Sequence, residues 1–484
     1  MNKRMVGWTV GMVLLIEAAF MLPSVIWCLI DSEWQVILSI LASVAITAAA
    51  GGVLVLLGRG KKKTFFAQDG FVTVALCWIA LSVFGCLPFF ISRQIPHYVD
   101  ALFEVVSGFT TTGASILPEV EPLSRGLLYW RSFTHWLGGM GILVFALAVV
   151  PASKGSGGQL HLMRAESPGP SVDKFTPRLR QTAKILYGIY IGMTVLCVLF
   201  LLFGGMPLFD SLCTAFGTAG TGGFGIHTDS MASYSPYLQN VCTVFMLLFG
   251  VNFNIYYLLL IRHSWKVIRD EEMRFYLGTF ALAVLLIAWD IRPLMQSAAD
   301  SLHHAAFQVS SIMTTTGFST VDFNQWPAFS KAILLVLMVL GACAGSTGGG
   351  IKSIRTLLLL KDLRRNLRQV IHPRSVQVVQ LNGRTVENSV IHGVHAYMAA
   401  YWMIALGSFV VISLDRFSVE TNISAVLACL NNIGPGLEVV GPASHYGGYS
   451  VLSKLILSMD MLLGRLEIFP LLALFSRRNW KQGF

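Results

Sequence analysis

Ten apolar stretches dominate this sequence, and each one meets or approaches the length that a membrane-spanning helix requires. A bilayer core about 30 Å thick is crossed by about 20 helical residues. Charged residues make up 12% of the 484 positions, against about 25% in a soluble protein, so the chain cannot cover the surfaces of several soluble domains. The sequence therefore predicts an all-α polytopic membrane protein with ten transmembrane helices, near residues 7–30, 34–57, 70–92, 127–151, 184–205, 238–261, 275–291, 328–360, 390–414 and 449–475.

Four further apolar segments are too short to cross a membrane, because as helices they reach only halfway. They occupy residues 99–108, 208–217, 302–313 and 423–430. Each leads into a glycine-containing turn, and two of these turns contain the sequence TTTG; the turns lie at 110–114, 220–224, 314–318 and 431–435. Two leading helices followed by four helix, half-helix, turn, helix repeats are therefore predicted, with approximate fourfold symmetry and with boundaries at 1–63, 64–160, 161–270, 271–372 and 373–484.

The basic residues are distributed as this topology requires, since cytoplasmic loops hold most of the Lys and Arg. The predicted inner segments contain 27 of the 35 Lys and Arg residues, and the predicted outer segments contain seven. The formal net charge of +10 divides into about +19 inside, −7 outside and −2 in the spans. The charge therefore indicates orientation, with both termini cytoplasmic, and not a nucleic-acid partner.

The four turns point to a lined pathway, because non-helical backbone at membrane depth is tolerated where it borders a water-filled or ion-filled cavity. A ring of main-chain carbonyls can replace the water around a cation, and the C-terminal end of a short helix adds partial negative charge. Glycine in each turn can adopt a positive φ without strain. Four such turns in one chain predict a monomeric cation pore.

Three other interpretations fit parts of the sequence. A single TTTG or GTGG sequence is also typical of close helix packing. A secondary transporter with broken helices predicts inverted repeats, whereas all four short segments enter from the acidic outer side. A membrane-embedded transferase would need acids or histidines clustered at one face, and the carboxylates here are scattered over the loops.

Four more motifs, together with the turns, carry a resemblance to a known family. They read HWLGGMG at 135–141, RAESPGP at 164–170, GSTGGGIK at 345–352 and GRLE at 464–467. Nearly the whole chain resembles the membrane subunit of bacterial Trk-type potassium uptake systems, in the superfamily that includes the Ktr and plant HKT proteins. The two leading helices are similar to those of the TrkH-like branch.

The resemblance implies potassium uptake across the bacterial inner membrane, with potassium as the only metal and no organic cofactor. In the plant relatives a serine at the first filter glycine accompanies sodium preference, so glycine here favours potassium. The second turn has Ala219 and Gly220 where bulkier residues are usual, which would loosen its floor. The implied filter glycines are Gly113, Gly222, Gly317 and Gly434, and the implied main-chain ligands are Thr111, Thr112, Gly220, Thr221, Thr315, Thr316, Asn432 and Ile433.

Partners also follow from the resemblance, which implies a homodimer with one pore in each protomer and a cytoplasmic ring of nucleotide-binding, TrkA-like regulatory subunits. The sequence has no GxxxxGK[ST] phosphate-binding loop, so nucleotide regulation would come from that other chain. The basic stretch at 361–368 would dock this partner or bind membrane lipid headgroups.

The eighth apolar stretch contains five glycines between 341 and 350, and each costs a helix about 1 kcal/mol relative to alanine. One interpretation is close helix packing through Gly341 and Gly345. The other, which the resemblance also implies, is an intramembrane gate that breaks the second helix of the third repeat. Its residues would be Gly345, Ser346, Thr347, Gly348, Gly349, Gly350 and Lys352.

Arg465 falls inside a predicted span, and an ionisable residue there is a functional candidate. It would be either a partnered structural charge or an electrostatic barrier facing the pore below the filter. The histidine pairs at 303–304 and at 392 and 395 lack the carboxylate or cysteine that would complete a metal site, so they are expected in packing or interfacial positions.

Overall fold

A computed structural model describes residues 3–58, 67–141, 179–375 and 377–475 of the chain. Several sequence predictions lie outside these described residues. They are the boundaries at 63 and 160, the second half of the stretch at 127–151, the RAESPGP motif at 164–170 and the basic residues after 476.

Helices account for nearly all regular structure in the described ranges. Numbered along the chain, they are α1 (Lys3–Met21), α2 (Pro23–Ile30), α3 (Trp34–Gly58), α4 (Ala67–Gly85), α5 (Leu87–Ile91), α6 (Tyr98–Phe109), α7 (Arg125–Gly139), α8 (Leu179–Phe203), α9 (Leu208–Gly220), α10 (Pro236–Phe249), α11 (Phe253–Leu260), α12 (Glu271–Asp290), α13 (Ala298–Met313), α14 (Ala328–Leu340), α15 (Ser353–Ile371), α16 (Asn388–Ile412), α17 (Val419–Leu430), α18 (Val451–Arg465) and α19 (Phe469–Phe475). A small antiparallel hairpin joins β1 (Gln380–Leu381) to β2 (Arg384–Thr385). Its turn has positive φ at Asn382 and Gly383, as tight hairpin turns require.

Six helical segments in the described ranges are long and apolar enough to cross a bilayer, namely Lys3–Ile30, Trp34–Gly58, Asp69–Ile91, Ala183–Phe203, Glu271–Asp290 and Asn388–Asp415. A seventh, formed by α10 and α11, is bent by 88° at its break. The remaining predicted spans correspond to α7, to α14 with α15, and to α18 with α19, each of which is shorter or interrupted. The chain is therefore a mostly helical, multi-pass membrane protein, and the count of ten spans stays a prediction.

The four predicted short segments are helices α6, α9, α13 and α17, which we call the half-helices. Two of them begin at serine caps, where Ser297 Oγ accepts from Asp300 N at 3.0 Å and Ser418 Oγ accepts from Thr421 N at 3.1 Å. Such hydroxyls satisfy a backbone donor that a helix start leaves open. The starts of α13 and α17 are therefore marked in the sequence by the serine directly before each helix.

The half-helices are enclosed by other helices in a closed order. α6 packs against α7 and α18, α9 against α7 and α10, α13 against α10 and α14, and α17 against α14 and α18. Consecutive half-helices thus share one neighbour, and the last shares α18 with the first. This arrangement brings the four glycine turns to one place.

The leading pair α1 and α3 packs closely through glycine. A Cβ on Gly51 would lie 2.9 Å from Gly11 O and 3.1 Å from Leu15 Cγ, while the position of a Cβ on Gly52 has nothing within 4 Å. Small residues let helix backbones approach in this way in membranes.

Replacing Gly51 with valine is expected to lower the free energy of unfolding by about 1–3 kcal/mol, because the added atoms overpack a filled contact. Thermal unfolding of the protein in detergent measures this loss. Gly52→Val is the matched control on the same helix and should melt close to the unaltered protein. Equal melting temperatures for the two variants would contradict the packing account.

Candidate ion-binding site

Each half-helix ends in the same backbone conformation. The second residue of each turn lies in the left-handed region: φ is 55° at Thr111, 54° at Thr221, 60° at Thr315 and 56° at Asn432. Two residues later φ is positive again, at Gly113, Gly223, Gly317 and Gly434, with values of 79°, 76°, 88° and 95°. Glycine and asparagine are the usual left-handed residues after a helix. Three threonines in this conformation are unusual, because their Cβ is crowded there.

The same hydrogen bonds close all four helix ends. The N–H of the residue after each left-handed residue donates to the carbonyl five positions back, in the pairs Thr112 to Ser107 (2.9 Å), Gly222 to Gly217 (2.8 Å), Thr316 to Ser311 (2.8 Å) and Ile433 to Ala428 (2.8 Å). The N–H of each left-handed residue donates to the carbonyl three positions back, at 3.1 to 3.2 Å. These two bonds define a Schellman end, which reverses the chain directly after the helix.

The structure corrects the predicted register of the second turn by one residue. Gly222 takes the position of Thr112 and Thr316, and Gly223, not Gly222, has the positive φ that Gly113, Gly317 and Gly434 share. Gly220 correspondingly takes the position of Thr110 rather than Thr111. Gly222 must be glycine for a different reason, because a Cβ there would overlap the imidazole ring of His135.

The four turns contact one another in a ring. A Cβ on any of the four positive-φ glycines would overlap or crowd a carbonyl oxygen of the next turn, and this oxygen belongs to the equivalent residue each time. The pairs are Gly113 with Gly222 O, Gly223 with Thr316 O, Gly317 with Ile433 O and Gly434 with Thr112 O. The glycines are therefore required by close approach as well as by φ. On one side, which we call the outer side of the ring, the turns open into a cavity bordered by all four glycines and by the loops that follow them.

A buried ion pair supports the first two turns. Arg131 Nε lies 2.7 Å from Glu104 Oε1, and both side chains are 3% exposed or less. The Glu104 carboxylate also accepts from Ile116 N at 2.9 Å, and Arg131 donates to Gly225 O at 2.8 Å. The guanidinium carbon lies 3.5 Å from the centre of the Phe224 ring. The pair thus ties the segment after the first turn to the segment after the second.

The pair between Glu104 and Arg131 was not predicted from the sequence. A signal was present, since Glu104 lies in a half-helix and Arg131 in a predicted span, and intramembrane charges indicate functional positions.

His135, from the HWLGGMG motif, adds a second link between the first two turns. Its Nδ1 lies 2.8 Å from Gly108 O, and its Nε2 accepts from Phe224 N at 3.2 Å, which assigns the proton to Nδ1.

Two glutamates on the loops that follow the first and fourth turns have lowered pKa values. Partial burial raises the pKa of Glu121, but hydrogen bonds from Thr228 outweigh this effect and bring the pKa down to about 2. Hydrogen bonds from Ser418 and Thr421 likewise lower the pKa of Glu438. Both carboxylates are therefore negative at neutral pH.

The segment 341–352, which we call the inner loop, interrupts the helix pair α14 and α15 and lies against the third and fourth turns. Gly349 N donates to Thr315 Oγ1 at 2.6 Å. A Cβ on Gly348 would lie 2.8 Å from Thr314 O, and one on Gly349 would overlap Asn431 O. These glycines therefore allow the loop to touch the turns, on the side away from the outer cavity.

The break between α10 and α11 holds the other side of the inner loop. Cys343 N donates to Gly250 O at 3.1 Å, Thr347 Oγ1 donates to Phe249 O at 3.2 Å, and Phe253 N donates to Gly345 O at 2.9 Å. Each interrupted helix thus satisfies backbone groups that the other leaves open, which buried backbone requires.

Two basic side chains, Arg465 and Lys352, donate to carbonyls of the inner loop. Arg465 Nη1 donates to Thr347 O at 2.9 Å, and Nη2 donates to Gly139 O at 2.7 Å and also to Gly138 O. The Lys352 ammonium donates to Gly348 O. Arg465 therefore has carbonyl partners on the loop and at the end of α7, which agrees with a partnered charge.

The acids near Arg465 in sequence have partners of their own. Glu467 pairs with Arg355, and Asp460 Oδ1 accepts from Ser408 Oγ at 2.8 Å. On α13, His303 Nε2 lies within hydrogen-bond distance of Gln239 Oε1, at 2.7 Å.

Comparison with known families identifies the chain. The TrkH family model, described as a cation transport protein, matches residues 37–291 and 279–482. The chain belongs to the TrkH family. The Trk system potassium uptake protein TrkH of Salmonella typhimurium is 39% identical over 448 residues, which cover 90% of this chain and 91% of that protein. The TrkH protein of Halomonas elongata is 37% identical over 497 residues and covers all of both chains.

A solved structure agrees with this assignment. The crystal structure of the potassium transporter TrkH from Vibrio parahaemolyticus has a TM-score of 0.88 and 32% identity, covering 99% of this chain and 100% of that one. The family resemblance predicted from the motifs is thereby confirmed. This TrkH-family chain is a multi-pass transport protein and not an enzyme.

Replacing Glu104 with glutamine in this TrkH-family chain is expected to lower the free energy of unfolding by about 3–5 kcal/mol, because Arg131 would stay buried without a counter-charge. Thermal unfolding in detergent measures the loss. Asp31→Asn is the control. Asp31 pairs with Arg125 at 3.0 Å, and their side chains are 27% and 40% exposed, respectively, so this pair should contribute about 1 kcal/mol or less to the free energy of unfolding. Similar losses in both variants would contradict the structural role of the buried pair.

Proposed function

We propose that this protein takes up potassium ions across the bacterial inner membrane through a channel-like pore, with the ring of four turns as its selectivity filter. The observation that carries the proposal is the cyclic contact of four turns with the same backbone geometry. Relatives named as potassium uptake proteins support the choice of ion. Both termini would be cytoplasmic, in keeping with the excess of basic residues on the predicted inner segments.

The proposed ligands are main-chain oxygens of the turns. With the register given by the structure, the second turn would contribute Thr221 and Gly222 where the sequence analysis proposed Gly220 and Thr221. Thr111 and Thr112, Thr315 and Thr316, and Asn432 and Ile433 stay the candidates in the other three turns. Carbonyls held by Schellman ends and by neighbouring glycines are positioned before the ion arrives, so little reorganisation is needed to replace its water.

The inner loop would act as the gate below this filter. Within it, Gly348 and Gly349 contact the third and fourth turns, and Lys352 and Arg465 bind carbonyls of the loop. A positive charge at this place would also oppose cation passage, so a barrier role for Arg465 is compatible with its hydrogen bonds. Opening would require these bonds to break together.

A cytoplasmic nucleotide-binding, TrkA-like subunit would supply the force that opens the gate, and the chain would work as a homodimer. The exposed basic side chains of α15, within 361–368, face the side on which such a subunit or lipid headgroups would bind. The name Trk system, which the relatives carry, agrees with a multi-component assembly.

Replacing Gly317 with serine is expected to abolish growth rescue of a potassium-uptake-deficient bacterium at limiting potassium, because the added atoms meet Ile433 O and Pro435 Cδ. Gly205→Ser is the matched control, since Gly205 has φ of 81° but nothing within 4 Å of its Cβ position. The control therefore carries the same backbone strain without the ring contact. Failure of the unaltered protein to rescue growth, with its regulatory subunit present, would contradict the proposed function.

Deleting residues 346–349 is expected to raise rubidium uptake by about tenfold or more in cells that lack the regulatory subunit, because the obstruction below the ring is removed. Competition by sodium should stay as in the unaltered protein, since the turns are intact. Unchanged uptake by a deletion variant that reaches the membrane in normal amount would show that the loop is not a gate.

A further inference from the structure

The inner loop does more than lie near the turns, because it forms a hydrogen bond to one of their side chains. Thr315 Oγ1 accepts from Gly349 N at 2.6 Å, and Thr315 is fully buried. This residue is one of the four left-handed residues of the ring. The bond therefore joins the proposed gate to the proposed filter without an intermediate residue.

The equivalent side chains of the other turns are engaged differently. In the described part of the chain, Thr111 Oγ1 and Asn432 Oδ1 are buried oxygens without a hydrogen-bond partner. Thr221 Oγ1 donates within its own turn, to Gly220 O at 2.6 Å. Buried oxygens without donors are unusual in proteins, and they are suited to a cation.

These four positions lie at the inner end of the ring. The positive-φ glycines two residues later border the outer cavity, whereas Thr315 and its neighbours contact the inner loop. A cation leaving the ring toward the cytoplasm would therefore pass the left-handed residues last.

We propose that the hydroxyl group of Thr315 is shared between the inner loop and a potassium ion at the inner end of the ring. This inference rests on the proposed function. When the loop is closed, the Gly349 N–H directs its positive end at Thr315 Oγ1, which weakens that oxygen as a cation ligand. A potassium ion bound there weakens the loop contact in turn, because coupling between two binding events is reciprocal.

Ion occupancy and gate opening are then linked through one hydroxyl group. Potassium at the inner end favours release of the loop, and a regulatory subunit that pulls the loop away restores Thr315 as a ligand. Sequence alone does not indicate this link, because Thr315 and Gly349 are 34 residues apart and in different motifs.

The test uses the full chain reconstituted in lipid vesicles, with a single cysteine reporter at Ser346→Cys on the loop. All eight native cysteines are buried, so a maleimide should react selectively with the reporter. In the parent reporter protein, potassium is expected to accelerate labelling by about five- to tenfold over an organic cation that is too large to enter. An absence of any potassium effect would overturn the inference.

Three substitutions in the reporter background separate the loop bond from general damage. Thr315→Val removes the acceptor at nearly constant volume and should give fast labelling without potassium. Thr315→Ser keeps the acceptor and should restore slow, potassium-dependent labelling. Thr243→Val removes a buried hydroxyl on α10 that donates within that helix, to Gln239 O at 2.9 Å, and should leave slow labelling without potassium.

The outcomes distinguish this inference from the proposed function. If the vesicles take up rubidium but Thr315→Val labels as slowly as Thr243→Val, the link through Thr315 is wrong while the pore stands. If even the variant that lacks residues 346–349 takes up no rubidium in the vesicles, the proposed function fails first. Should Thr315→Val not fold, Thr315→Ala removes the same acceptor, and slow labelling of that variant would equally overturn the inference.

Discussion

The Schellman end of each half-helix is the constraint on which the rest of this structure depends. It places a left-handed residue directly after the helix and a glycine of positive φ two residues later, so the chain turns back at membrane depth. A left-handed threonine costs roughly 1–2 kcal/mol, and three of the four ends contain one. Such strain persists where the surroundings hold it in place. Here the two hydrogen bonds of each end and the contacts between turns do so.

The second feature of the architecture is the mutual support of two broken helices. The break between α10 and α11 leaves backbone groups that bind the inner loop, and the loop's own groups are bound by that break and by Arg465. Hydrocarbon offers no alternative partners, so the loop cannot leave without exchanging these bonds for others. Hydrogen bonds that hold the loop at Gly345, Thr347 and Gly349 are suited to a gate, because water entering an open pore can replace them.

Much of this arrangement could be predicted from local sequence. The half-helices, their turns and the glycine-rich break in the eighth stretch all follow from apolar length and glycine placement. The register of the second turn could not, because GTGG offers glycine at three positions and lacks the threonines that mark the TTTG turns. The positive φ of Gly223, the bond from Gly222 N to Gly217 O and the contacts of these two glycines separate the two registers. The bond from Gly349 to Thr315 and the 88° bend depend on distant segments, and no local pattern reports them.

The most direct measurement of the central claim is the position of ions in the ring. Crystals grown with rubidium in place of potassium would show its anomalous scattering. The account predicts peaks enclosed by all four turns, within coordinating distance of main-chain oxygens of Thr112, Gly222, Thr316 and Ile433. Well-ordered turns with no rubidium between them, or rubidium bound elsewhere along the membrane-spanning helices, would contradict a filter built from these four turns.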